Sequence, residues 1–168
     1  MPLKKTLISA TLATAALGIG SAHALEQCQP FSVTAPMNEH RVVKVVKQGS
    51  DAPMPGDLRI GHSDLVDNNG NAVGSVEWET RVLGEDDAGQ VRLASDVVLS
   101  FENGNLYARS GAYTVDKPVH SPETRTIAND QTRDVLGGSG VFEDANGRIT
   151  FSMQENGDAK LNVNITCT

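Results

Sequence analysis

The side chains available for chemistry in this 168-residue chain are few: two cysteines, three histidines beyond residue 24, one tryptophan and two tyrosines. Cys28 and Cys167 form no Cys-x-x-Cys pair and have no histidine cluster beside them. In an oxidising compartment, an even pair at opposite ends of a chain reads as one disulfide. Closing so long a loop restricts the unfolded chain by about 5 kcal/mol in the loop-entropy picture, and it predicts that the two ends meet in space. His40, His62 and His120 are spaced like no metal-ligand motif, so no metal is expected. Ser139 lies among glycines, but Gly137-Gly138-Ser139-Gly140-Val141 does not complete the Gly-x-Ser-x-Gly elbow of a nucleophilic serine. The same glycines make a poor phosphate cradle, since no Lys-Ser or Lys-Thr follows and no helix is expected behind them. Turns such as Asp67-Asn68-Asn69-Gly70 and Asp144-Ala145-Asn146-Gly147 place glycine fourth rather than sixth, as tight turns do and calcium loops do not. Glu77 and Glu79 share a strand face opposite Trp78 and read with Arg81 as an exterior stripe rather than an acid/base pair. No catalytic residue is assigned, and no cofactor is expected.

What remains is aromatic and cationic. Trp78 is the leading candidate for the wall of a ligand site, with core filling as its ordinary alternative. Tyr107, Arg109 and Tyr113 fall on one face of a single expected strand and offer hydroxyl and guanidinium contacts; otherwise they belong to the surface or an interface. His120, in the loop bounded by Pro118 and Pro122, is placed to cover an opening, or is simply a loop residue.

The elements that would carry these residues are strands. The first 24 residues read as a secretory signal peptide: Lys4 and Lys5, an apolar run from Leu7 to Ile19 too short to span a bilayer, and the small-x-small site Ala22-His23-Ala24. An exported protein is expected, periplasmic or secreted, with no membrane span after signal removal. Loss of the two lysines takes Lys+Arg from 14 to 12 against 21 Asp+Glu, so the formal charge moves from -7 to -9 and nucleic acid is an improbable partner. The 144 residues left make one domain. Residues 25–40, with Pro30 and Pro36, read as an extended, irregular lead-in, and 41–168 as the folded domain.

Within that domain hydrophobicity alternates with period two rather than 3.6. Strands are expected at 41–47, 57–66, 72–83, 90–101, 105–115, 125–129, 147–154 and 159–166. Their faces carry Val76, Trp78, Thr80 and Val82; Val91, Leu93, Val97, Leu99 and Phe101; Ile149, Phe151 and Met153; and Leu161, Val163 and Ile165. About eight strands at hairpin spacing, with glycines at the corners, predict an all-β, eight-stranded antiparallel barrel whose closure removes exposed edges. A ligand would then sit in the lumen or at its mouth.

Residues 136–147, Leu-Gly-Gly-Ser-Gly-Val-Phe-Glu-Asp-Ala-Asn-Gly, resemble the glycine-rich signature of the allene oxide cyclase and dirigent barrel superfamily. Gly56-Asp57-Leu58, the following strand, the Gly70 turn and Val73-Gly74 come in the order of that family. Gly137, Gly138, Ser139, Gly140, Phe142 and Gly147 are the signature positions: glycines for close approach and unusual backbone angles, Phe142 to anchor the corner, and Gly147 to start the next strand. The resemblance implies a barrel, usually oligomeric, whose lumen binds a small apolar or aromatic molecule. The first-strand glutamate of the cyclases has no counterpart in Arg41–Lys47, and Ile60 and Ser63 stand where the cyclases carry a proline and an asparagine. The reading is therefore a lumen that binds a small apolar molecule. One alternative is a cyclase or stereocontrolling isomerase acting by shape. Another is an interaction protein with a packed barrel, which a lumen below about 300 Å³ would favour.

Overall fold

The computed structural model describes residues 28–116, 118–127 and 130–168, so the expected signal segment lies outside the described residues. Among the described residues ten strands follow one another: β1 (Phe31–Ala35), β2 (Val42–Val46), β3 (Leu58–Val66), β4 (Ala72–Glu85), β5 (Val91–Phe101), β6 (Gly104–Arg109), β7 (Tyr113–Val115), β8 (Gln131–Gly138), β9 (Ala145–Met153) and β10 (Ala159–Cys167). All pairings are antiparallel in the order β1-β10-β9-β8-β6-β5-β4-β3, and Thr34 of β1 against Val66 of β3 closes the ring. β2 lies on the same edge of β3 as β1, and β7 on the same edge of β5 as β6. Each of these two pairs is one stave of the wall interrupted by inserted residues, so ten strands make the expected eight-stave barrel.

The period-two pattern does what it must. Along β5, Val91, Leu93, Val97, Leu99 and Phe101 are buried while Arg92 is exposed and Ala94, Asp96 and Ser100 are only partly covered. The interior they help fill has two apolar clusters. The larger surrounds Leu99, Leu106 and Leu161 and includes the phenylalanine trio of Phe31, Phe101 and Phe142, with centroids 5.5 to 6.1 Å apart. The smaller holds Val82, Val91, Leu93, Val115 and Val119. The Cys28–Cys167 disulfide is present, with Cα atoms 5.8 Å apart, and joins the lead-in to the end of β10.

Four expectations need correction. The lead-in is not irregular throughout: Phe31–Ala35 pairs with Val163–Ala159, and its Val33 and Ala35 are buried. The strand expected at 125–129 does not form over its described part: Arg125–Ile127 is loop, and 128–129 lie outside the described residues. Its place is taken by β8 at 131–138, which runs into the glycine signature and pairs with β9 and β6. Segment 105–115 is two strands. Asp96 pairs with Arg109 but Leu93 with Tyr113, a shift of one residue across Ser110–Ala112 that turns the side chains after it to the opposite face. Finally, Gly147 does not start β9, which begins at Ala145. The signature corner itself is a short 3-10 turn, Gly140–Phe142, in which Gly140 takes φ 64° against the backbone of Asn103, and fully buried Phe142 fills the space beneath.

Candidate functional site

Between the two apolar clusters the inward rows change character. On β3 the row continues from Leu65 through Ser63 and Gly61 to Arg59; on β4 from Val76 through Trp78 to Thr80; on β8 from Val135 to Arg133 and Gln131. Thr80 Oγ1 lies 2.8 Å from Ser95 Oγ, which in turn lies 2.8 Å from the Tyr113 hydroxyl. These residues make a polar belt across the barrel. At the belt is a cavity of about 40 Å³, lined on its apolar side by Val76, Trp78, Val97, Phe151 and Leu161 and on its polar side by Arg41, Arg59, Arg125 and Arg133. Such a space has room for about three waters.

The loop from Pro118 to Ile127 lines the cavity through Arg125, Thr126 and Ile127 and serves as its roof, and arginines hold that roof in place. Buried Arg59 donates from Nη1 to the carbonyl oxygens of Val119 and Ser121, the latter at 2.7 Å, and from Nη2 to Thr124 at 2.6 Å. Arg41 donates to the Pro122 carbonyl at 2.9 Å with its guanidinium 5.8 Å from the Trp78 ring centre. Arg125, itself part of the roof, donates to Gly157 and Ala35 carbonyls at 2.7 and 2.9 Å. Burial, with repulsion from Arg41 second, pushes the Arg59 and Arg125 guanidinium groups down to about 10, and burial lowers Arg133 and Arg41 as well. A guanidinium keeps its proton in proteins, so the described lining residues bring four cations to the cavity. No Asp or Glu is among its described lining residues.

Trp78 stands at the cavity wall. Its indole lies across Gly61 of β3, the directly paired residue, where a Cβ would run into the ring. The glycine thins the wall so far that Trp78 also borders an outer groove with Val42, Lys44, Ile60 and Glu77. Tyr113 faces inward beside Ser95. Tyr107 and Arg109 face outward, Arg109 against Asp96, which raises its pKa by hydrogen bonding and charge. The expected shared face of Tyr107, Arg109 and Tyr113 is thus divided by the register shift. His120 lies in the roof at its far edge: Nε2 is 2.7 Å from Asp57 Oδ2 and Nδ1 is 3.0 Å from the Asp51 carbonyl. Asp57 is 1% exposed. Burial works to raise its pKa, but the backbone N–H groups of Gln48 and Met54, with His120, outweigh that and leave the carboxyl below its ordinary value. Glu77 and Glu79 are on the outside, Glu79 paired to Arg81 at 2.7 Å.

The four arginines and Asp57 are absent from the sequence-derived site. A signal for Arg59 existed in parity alone: Leu65 marks the inward row of β3, and Arg59 falls on it. For Arg133 hydrophobicity points the wrong way, because neighbouring Leu136 is 62% exposed whereas Arg133 is 3% exposed.

A closed antiparallel barrel with a roofed, partly polar lumen is the class that this geometry defines, and solved structures of cyclase-like barrel proteins share the fold. The chain is similar to a pyocyanin demethylase (TM-score 0.56, 18% identity, covering 80% of this chain and 99% of that one). It is similar to the Diels-Alderase AbmU from Streptomyces koyangensis (TM-score 0.57, 17% identity, 84% of this chain and 63% of that one). A structure described as a nonspecific heme-binding cyclase that catalyses a 4 + 2 cycloaddition in neoabyssomicin biosynthesis gives a TM-score of 0.57 at 16% identity, over 84% of this chain and 64% of that one. The chain therefore spans just under two thirds of the length of these last two. At such identities the likeness is one of fold. The sequence matches no protein-family model and no curated protein.

Proposed function

We propose that this protein is an exported small-molecule-binding barrel that takes its ligand into the lumen beneath the 118–127 roof. The observation that carries this reading is the interruption of the core: where a packed barrel would continue Val and Leu rows, Trp78 and four arginines surround a cavity closed by a loop. Similarity of fold to cyclases and a demethylase of small organic molecules is in line with it, as is the resemblance of residues 136–147 to allene oxide cyclase and dirigent barrels. With no carboxylate on the described lining, any turnover would come from holding a reactive molecule in one shape beside fixed positive charge rather than from acid/base chemistry.

One observation favours the second reading, a packed interaction protein. The cavity, about 40 Å³, is far below the roughly 300 Å³ of ordinary ligand pockets. Entry of a whole ligand consequently requires the roof to lift, and the roof is fixed by guanidinium–carbonyl bonds that water can replace and by Val119, fully buried in the smaller apolar cluster. The experiment uses the sole tryptophan, Trp78, as its own reporter. Under the ligand reading, protein purified from its source carries a small molecule in native mass spectrometry, or its tryptophan emission changes saturably in a screen of aromatic and aliphatic compounds. Silence in both assays would leave the packed barrel standing.

A further inference from the structure

Three of the four cavity arginines are engaged in holding the roof, and Arg133 is not. Its Nε and Nη1 are buried without a hydrogen-bond partner among the described residues, and its guanidinium lies 4.1 Å from the centre of the Phe151 ring. Stacking on an aromatic face satisfies the flat side of a guanidinium but leaves its in-plane N–H fork unused, and that fork fits the two oxygens of a carboxylate. Gln131, two residues earlier on the same inward row, likewise has both amide atoms buried and without a partner among the described residues. Carbonyl acceptors cancel none of the charge on Arg41 and Arg59, and Arg125 is offset only in part by the carboxylate of Asp158. A buried cation with unmade hydrogen bonds is costly unless something pairs with it.

We propose that the lumen ligand is an anion, and that Arg133 receives its carboxylate, sulfonate or phosphoryl group in the belt while its apolar portion lies against Trp78 and Phe151. This rests on the lumen-binding reading and adds the ligand's charge to it. The cavity as it stands has the size of such a head group, so only the rest of the molecule needs the roof to open. A free inorganic oxyanion offers the same chemistry in smaller form.

The test compares two dyes with one aromatic skeleton, the anionic 8-anilinonaphthalene-1-sulfonate and the neutral N-phenyl-1-naphthylamine, each titrated while Trp78 emission is followed. The expected result is at least tenfold tighter binding of the sulfonate. Arg133→Met should remove that preference without weakening the neutral dye, and Arg133→Lys should retain part of it. Arg133→Met should melt no lower than the parent, since it removes an uncompensated charge, and the melt identifies a misfolded variant. If the dyes bind equally and no inorganic oxyanion stabilises the parent, or Arg133→Met weakens both dyes alike, the anion assignment fails while the lumen reading survives. If neither dye binds, the lumen reading fails too. If inorganic phosphate or sulfate raises the melting temperature of the parent but not of Arg133→Met, with no dye preference, the site serves a free oxyanion and the organic ligand is ruled out.

Discussion

The phenylalanine end and the arginine belt are built on the same staves, yet they close the barrel by different means. Around Phe31, Phe101 and Phe142, inward rows of Val, Leu and Ile interlock, and the disulfide lies close by. A few residues further along those staves, Leu99 gives way to Ser95 and Val135 to Arg133, and closure passes to a loop held by guanidinium–carbonyl bonds. Burial without partners is nondirectional and resists opening through area, whereas hydrogen bonds to a loop are exchangeable with water. The phenylalanine end is therefore suited to permanence, and the belt beneath the roof, with the smaller cluster of Val82, Leu93 and Val119 beyond it, to access.

The largest effect should come from emptying the permanent end. Phe142→Ala deletes a fully buried ring that touches two others and should cost about 3–5 kcal/mol in denaturant unfolding. A loss under about 1 kcal/mol would mean that this end is as loosely built as the other. Replacing both cysteines, Cys28→Ser with Cys167→Ser, should lower stability by about 2–5 kcal/mol, read as a fall in the denaturation midpoint of the oxidised protein that reductant reproduces. Arg59→Met comes next, at about 1–3 kcal/mol, and its effect should be local: hydrogen exchange should rise across 118–127 far more than in β9 or β10. Uniform exchange would erase the contrast between the ends. Smallest is a pH effect at the roof's edge. Asp57 has a folded-state pKa below its ordinary value of about 3.9, so its contribution is complete above that pH and is lost as pH falls through the lower folded value. Acid should therefore loosen His120 and the roof before the phenylalanine end, and Asp57→Asn should remove the acid-dependent step.

The permanent end was the legible one. β4, β5, β9 and β10 carry the apolar rows read from alternation, and the cysteine pairing followed from compartment and count. Legibility failed where polarity and direction part company. β8 buries Gln131 and Arg133 and exposes Leu136, so its pattern disguises it, and Arg125–Ile127 looked more strand-like than it is. β1 was hidden between Pro30 and Pro36. Tyr113 was placed with Tyr107 because nothing in Ser110-Gly111-Ala112 announces the one-residue shift that parts them. Parity puts Trp78 on the inward row of β4, where it lines the cavity; its arginine neighbours come from four separate elements, and one-dimensional spacing does not carry that convergence.

The covalent link between Cys28 and β10 also changes how the molecule answers to tension. A pull applied at residues beyond the two cysteines travels through the sulfur–sulfur bond and never reaches the β1–β10 ladder, so mechanical unzipping of the barrel from its ends has no place to begin until that bond is reduced.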